Sequence, residues 1–157
     1  MADEYWDDLM AVVTWYQQGI EIVVERSRAF TGWTNASMKV ALVTASYTPS
    51  QSHTAYSDIS AFEISGGDYN IGGLALSGKT ITTNQNQLRL DAIDVAWSSL
   101  PVKPRYAVVY DATNVTANLC TLFGYLDLGR LKGSKLRIRW PSTGVLTLTV
   151  ENAVGFP

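Results

Sequence analysis

The stretch KLRIRWPSTGVLTLTV, Lys135 to Val150, decides how this chain of 157 residues is read. Leu136, Ile138 and Trp140 alternate with Lys135, Arg137 and Arg139. After a short turn, Leu146, Leu148 and Val150 alternate with Thr147 and Thr149. Successive side chains of a strand point to opposite faces, so this period of two predicts a β-hairpin with one buried face and one wet face. The six apolar residues are expected in the core, and Lys135 and Arg137 in solvent.

The same β signature runs upstream. RYAVVYD (Arg105–Asp111) is expected to be a central strand, and LCTLFGYLDLG (Leu119–Gly129) another, with Cys120, Leu122, Leu126 and Leu128 in phase. QLRLDAIDVAW (Gln87–Trp97) changes phase partway, because Leu88 and Leu90 have the opposite parity to Ile93, Val95 and Trp97. A β-bulge near Ala92 and Ile93 would bring both sets to the core. MKVALVT places Met38, Val40 and Leu42 on one face and Lys39, Ala41 and Val43 on the other. IEIVVERSR, ISAFEIS and KTITT read as further strands, GGDYNIGGLALSG as turns and an edge, and TGWTNAS as a loop. ASYTPSQSHTAYSD reads as a long exposed connection.

Only the beginning reads as helix. Trp6, Leu9, Met10, Val13 and Tyr16 recur at helical spacing, acids crowd the first turn, and Gly19 is placed to end the element. One amphipathic helix is expected over residues 3–18. The predicted fold is mainly β, an antiparallel β-sandwich of jelly-roll or Ig-like type with one short N-terminal amphipathic helix. Residues 1–37 are expected to form a helix and interface arm, and residues 38–157 the sandwich.

Composition narrows the function. The net charge is −2 with a pI near 5.3, so no nucleic acid is expected as a partner. No apolar run approaches the ~18 residues that span a bilayer, and no membrane partner is expected. The acidic N-terminus lacks the charge of a secretory signal, which points to synthesis in a cytoplasm. Cys120, the single cysteine, is expected to be a buried structural thiol.

Candidate chemistry is sparse. Ser52, His53, Ser57 and Asp58 have the residue types of a nucleophilic triad, but lie within a few positions of one another in a polar loop. With one His and one Cys, no transition-metal site is expected. Asp7/Asp8 and Asp91/Asp94 lack the spacing of a calcium loop. GGDYNIGG lacks the Lys-Ser/Thr of a phosphate loop. No catalytic residue, metal site or cofactor is therefore expected. Trp33, Tyr47, Tyr56 and Tyr69 sit in loop-like segments and could form a sugar platform.

The order of motifs resembles a family of small β-sandwich structural proteins of tailed bacteriophage virions, of the head decoration or cement type. The resemblance runs through MKVALVTASYTP, YSDISAFEISGGDYNIGGLALSGKTIT, LDAIDVAWSSL, RYAVVYD, LFGYLDLG and IRWPSTGVLTLTV, over most of Met38 to Val150. The segment from Ile20 to Ser37, with Arg26, Arg28, Phe30 and Trp33, is an addition to that pattern. The resemblance implies a non-enzymatic protein on the outer surface of the capsid, with the major capsid protein as partner and self-association as a homotrimer. Tyr5, Trp6, Trp15, Phe30 and Trp33 are the expected interface anchors. The alternative is a tail or fibre component that binds a host-surface glycan.

Overall fold

The computed structural model describes residues 6–25, 32–84, 87–114, 116–142 and 144–149. In chain order the elements are β1 (Trp6–Met10), β2 (Thr14–Trp15), α1 (Gln17–Glu25), β3 (Met38–Val43), β4 (Leu74–Ala75) and β5 (Thr80–Asn84). They continue with β6 (Gln87–Asp91), β7 (Val95–Trp97), β8 (Tyr106–Asp111), β9 (Leu122–Asp127), β10 (Lys135–Arg139) and β11 (Leu146–Thr149). A five-stranded antiparallel sheet has the order β2-β9-β8-β3-β4, and two three-stranded sheets have the orders β1-β10-β7 and β11-β6-β5. Val40, Leu42, Val109 and Phe123 of the first sheet share one core with Trp97, Leu136 and Ile138 of the second and Leu90 and Leu146 of the third. The fold is thus mainly β, with one sheet packed across two others as a sandwich.

β3 shows why both parities of MKVALV are apolar. Met38, Val40 and Leu42 face the shared core, while Ala41 and Val43 face a second core on the opposite side of the same sheet. Residues 44–62 cover that second side. They bring Tyr47 and Ile59 into full burial against Tyr16, Val108, Tyr110 and Leu122. This connection is therefore packed as well as polar. ISAFEIS is not a strand: it contains the 3-10 turn Ser60–Phe62, which follows another at Tyr56–Asp58, and a single bridge joins Glu63 to Val43.

The expected N-terminal helix is replaced by strands. β1 pairs parallel to β10, with Trp6 opposite Lys135 and Met10 opposite Arg139, and β2 pairs with β9. The inward residues here are Asp7, Leu9 and Ala11, so the true period is two. An aspartate at an inward position hides it: Asp7 is 7% exposed and accepts N–H bonds from Lys132 and Gly133 at 2.9–3.1 Å. The helix lies later, where IEIVVERSR reads as a strand. Packing overrides the β-branched preference there, because Gly19 sits directly on β9; a Cβ at that position would lie 2.6 Å from the Phe123 carbonyl oxygen. The side chain of Gln51 accepts the N–H of Gln17 at 2.8 Å and caps the helix start. Residues 6–16 contribute to both cores, so the boundary expected at residue 37 falls inside one packed unit.

The expected final hairpin is also rearranged. β10 pairs with β7 and β11 with β6, so the two halves of the opening stretch belong to different sheets. The alternation holds in β10, where Leu136 and Ile138 are fully buried and Arg137 is exposed; Leu146 is buried at the start of β11. The side chains of Leu148 and Val150 lie outside the described residues. The phase change at Ala92–Ile93 is a crossing between sheets rather than a bulge, and Ile93 is 60% exposed. The bulge lies in β9 instead. Val109 pairs with Gly124 and Tyr110 with Leu122, which leaves Phe123 as the extra residue. It splits the expected in-phase set, with Cys120 and Leu122 in the second core and Leu126 and Leu128 in the shared one. Gly124 is required at this bulge, since a Cβ would lie 2.6 Å from Val13 Cγ1.

Candidate functional site

Parallel pairing of β1 with β10 builds a surface that neither strand has alone. Leu136 and Ile138 turn inward, which forces Lys135, Arg137 and Arg139 outward in a row. Trp6, Asp8 and Met10 line the same face from β1. The Trp6 ring lies under two cations, with Arg137 Cζ 4.9 Å and Lys135 Nζ 5.6 Å from its centroid. Arg139 Nε meets Asp8 Oδ1 at 3.0 Å. Met10 is 54% exposed and Val12, just beyond the strand, 79%. Trp, Met and Arg are the residue types enriched where proteins meet.

This face belongs to a wider segregation of charge. Seven of the twelve Lys and Arg residues lie between Lys103 and Arg139, against two carboxylates, Asp111 and Asp127. The net charge of −2 averages a basic segment with an acidic remainder. A basic, partly apolar face can recognise a partner surface that carries carboxylates.

Carboxylates elsewhere are engaged in the fold. Every Asp and Glu from Asp58 to Asp127 accepts a backbone N–H. Asp58 takes those of Thr54 and Ala55, Glu63 that of Gly72, and Asp68 those of Ser98 and Ser99. Asp91 takes that of Ala92, Asp94 that of Trp140, Asp111 that of Thr113, and Asp127 that of Gly129. Glu63 also accepts the hydroxyls of Tyr56 and Tyr69. Burial raises both phenols well above their ordinary range, so they act as neutral donors. Short motifs such as Asp111-Ala112-Thr113 and Asp127-Leu128-Gly129 carry the turn chemistry that would have revealed part of this.

The triad residue types are not assembled into a triad. Ser52 Oγ bonds Ser50 Oγ at 2.8 Å, and Asp58 is held on backbone N–H groups. His53 Nδ1 pairs with Tyr47 Oη at 2.8 Å, and Tyr47 Oη meets Tyr16 Oη at 2.6 Å. With Tyr16 donating to Tyr47 and Tyr47 to His53, neither buried hydroxyl proton lacks an acceptor. No group of three His, Cys, Asp or Glu residues is arranged to hold a metal ion among the described residues. No helix there is long and apolar enough to cross a membrane.

Of the expected interface anchors, Trp6 stands on the outer face. Trp15 is half-buried and ties β2 to β11 by donating its indole N–H to Thr147 O at 3.0 Å. Trp33 is 1% exposed in the shared core and donates to Asp91 O, so it does not stand at the surface. Tyr5 and Phe30 lie outside the described residues. The proposed sugar platform is likewise absorbed, since Tyr47 and Tyr69 are buried with Trp33 and Tyr56 stacks on Tyr110 at 4.9 Å. The sequence matches no family model, and no curated protein and no solved structure is significantly similar to the chain.

Proposed function

We propose that the protein is a structural component of a bacteriophage virion. It sits on the outside of the assembled capsid as a decoration or cement protein and binds the major capsid protein through the Trp6–Arg137 face. The observation that carries this reading is the outer face itself. Trp6, held under Lys135 and Arg137, with Met10 exposed further along the same face, is a preorganised aromatic and cationic patch on a sheet. The blocks that resemble virion proteins support it, because LDAIDVAWSSL supplies β7, the antiparallel neighbour of β10, and IRWPSTGVLTLTV the last residues of β10 itself. The stapled carboxylates fit a scaffold whose role is to hold a surface in place.

A homotrimer is the proposed assembly. Closed cyclic symmetry is the usual way identical soluble subunits associate, and three copies at a shell three-fold would multiply a modest contact by effective concentration. Nothing in the geometry favours the glycan-binding alternative, whose aromatics are buried or engaged. Quantitative mass spectrometry of purified virions, with sedimentation velocity of the isolated protein, tests the reading. Many copies per particle and a trimer in solution are expected. Absence from washed particles contradicts the virion assignment.

A further inference from the structure

A second basic feature lies where the loop before β8 meets the loop after β9. An open cavity of about 320 Å³ there is lined by Lys103, Arg105 and Arg130, with Ala45, Pro104 and Leu131 as its less polar wall. Pro104 and Leu131 are buried, so they form a fixed floor. Two of the three cations are already positioned. Arg105 forms a two-pronged pair with Asp127, at 2.7 Å from Nε and 3.1 Å from Nη2, and Lys103 Nζ donates to Lys132 O at 3.0 Å. The backbone beneath them is tied as well, with Leu128 N bonded to Arg105 O and Arg105 N to Val43 O, both at 2.8 Å. Arg130 is exposed at the rim.

We propose that this cleft is a binding site for a small organic phosphate, with the phosphoryl dianion held by Lys103, Arg105 and Arg130. A carboxylate offers two oxygens in one plane and is matched by one guanidinium, as Asp127 is by Arg105. Three cationic arms around one cavity instead match a group with three terminal oxygens. One of the three charges is balanced by Asp127, which leaves the cleft complementary to a dianion. The cavity is larger than phosphate alone, and its Pro104–Leu131 floor suits an apolar substituent. The site does not depend on the proposed attachment face.

Titration of the full-length protein with phenyl phosphate, inorganic phosphate and succinate at constant ionic strength, followed by amide NMR shifts, tests the assignment. Saturable shifts at residues 103–105 and 129–131 are expected, with phenyl phosphate binding more tightly than inorganic phosphate and succinate most weakly. R130Q and K103Q are each expected to weaken phenyl phosphate roughly tenfold, the loss of one charge-assisted hydrogen bond. Lys39→Gln, at the far end of β3, should bind as the parent does. If inorganic phosphate alone binds, the organic substituent is wrong. If succinate binds as well as phenyl phosphate, the phosphoryl assignment is wrong. No saturable shift at these residues, or equal binding by R130Q, overturns the site.

Discussion

The indole nitrogen of Trp140 donates to the carbonyl oxygen of Ile93 at 3.0 Å, while the backbone nitrogen of Trp140 bonds Asp94 Oδ1 at 2.9 Å. These bonds join the two points where the chain crosses between sheets, from β6 to β7 and from β10 to β11. Trp140 therefore locks a corner as well as filling core volume. Trp140→Ala should cost roughly 3–5 kcal/mol in denaturant titration. Trp140→Phe, which keeps most of the packing but removes the indole N–H bond to the Ile93 carbonyl, should cost about 0.5–1.5 kcal/mol. Arg137→Ala should cost no more than about 1 kcal/mol, the scale of an exposed cation–π contact with Trp6. Equal losses at Trp140 and Arg137 would contradict the assignment of faces.

The tyrosine chain predicts an asymmetry between two similar substitutions. Tyr47→Phe leaves the buried Tyr16 hydroxyl without an acceptor and should cost about 1–3 kcal/mol. Tyr16→Phe removes the terminal donor, leaves the Tyr47–His53 bond intact, and should cost less. Thermal denaturation of both variants distinguishes them, and a larger loss for Tyr16→Phe reverses the proposed direction of the chain.

Cys120 should react slowly. It is 5% exposed, its thiol donates to Asn114 O at 2.9 Å, and burial pushes its pKa up, with the nearby Asp111 charge adding to the effect. The thiolate is thus disfavoured on two grounds. Labelling of the native protein should be slow and should accelerate on unfolding. Rapid labelling in native buffer would show that the second core is open at this point.

Asp68 gives a pH dependence of known sign. Burial opposes its charge, but donors from Ser98 N, Ser98 Oγ and Ser99 N outweigh that and hold its carboxyl below the usual range. A carboxylate depressed in the folded state contributes stability above its unfolded pKa of about 4. That contribution is lost as pH falls through the lower folded value. The melting temperature of Asp68→Asn should therefore be lower than the parent's near neutral pH, and the gap should narrow in acid. A gap that widens in acid would contradict the role of these donors.

Legibility followed how each residue's partners are distributed along the chain. β3 and β8 could be read because both their faces are buried, so every position is apolar apart from Lys39 and the strand ends. The alternation of Leu136 and Ile138 could be read for the same local reason. The partner of β10 could not, since turn signals suggest its neighbour in sequence and the actual neighbours are β1 and β7. β1 was obscured because Asp7 occupies an inward position, and α1 because Ile22, Val23 and Val24 favour strands in isolation. For the candidate site, the spacing of Trp6 with Leu9, Met10 and Val13 put it on the apolar stripe of a helix, whereas it stands on the outer face of β1. Its placement under Arg137 and Lys135 depends on a parallel register that no local pattern encodes. Trp33 lies in the core rather than at the surface because a loop tryptophan can reach back, here to Asp91 O.

The most direct test of the account is co-sedimentation with assembled capsids that lack this protein. Wild type is compared with a Trp6→Ala/Arg137→Glu double variant whose fold has been verified by circular dichroism and thermal melting. Saturable pelleting of the wild type is predicted, with the double variant remaining in the supernatant. If the wild type does not pellet, the protein does not attach to the shell; if both pellet alike, attachment does not run through the Trp6–Arg137 face.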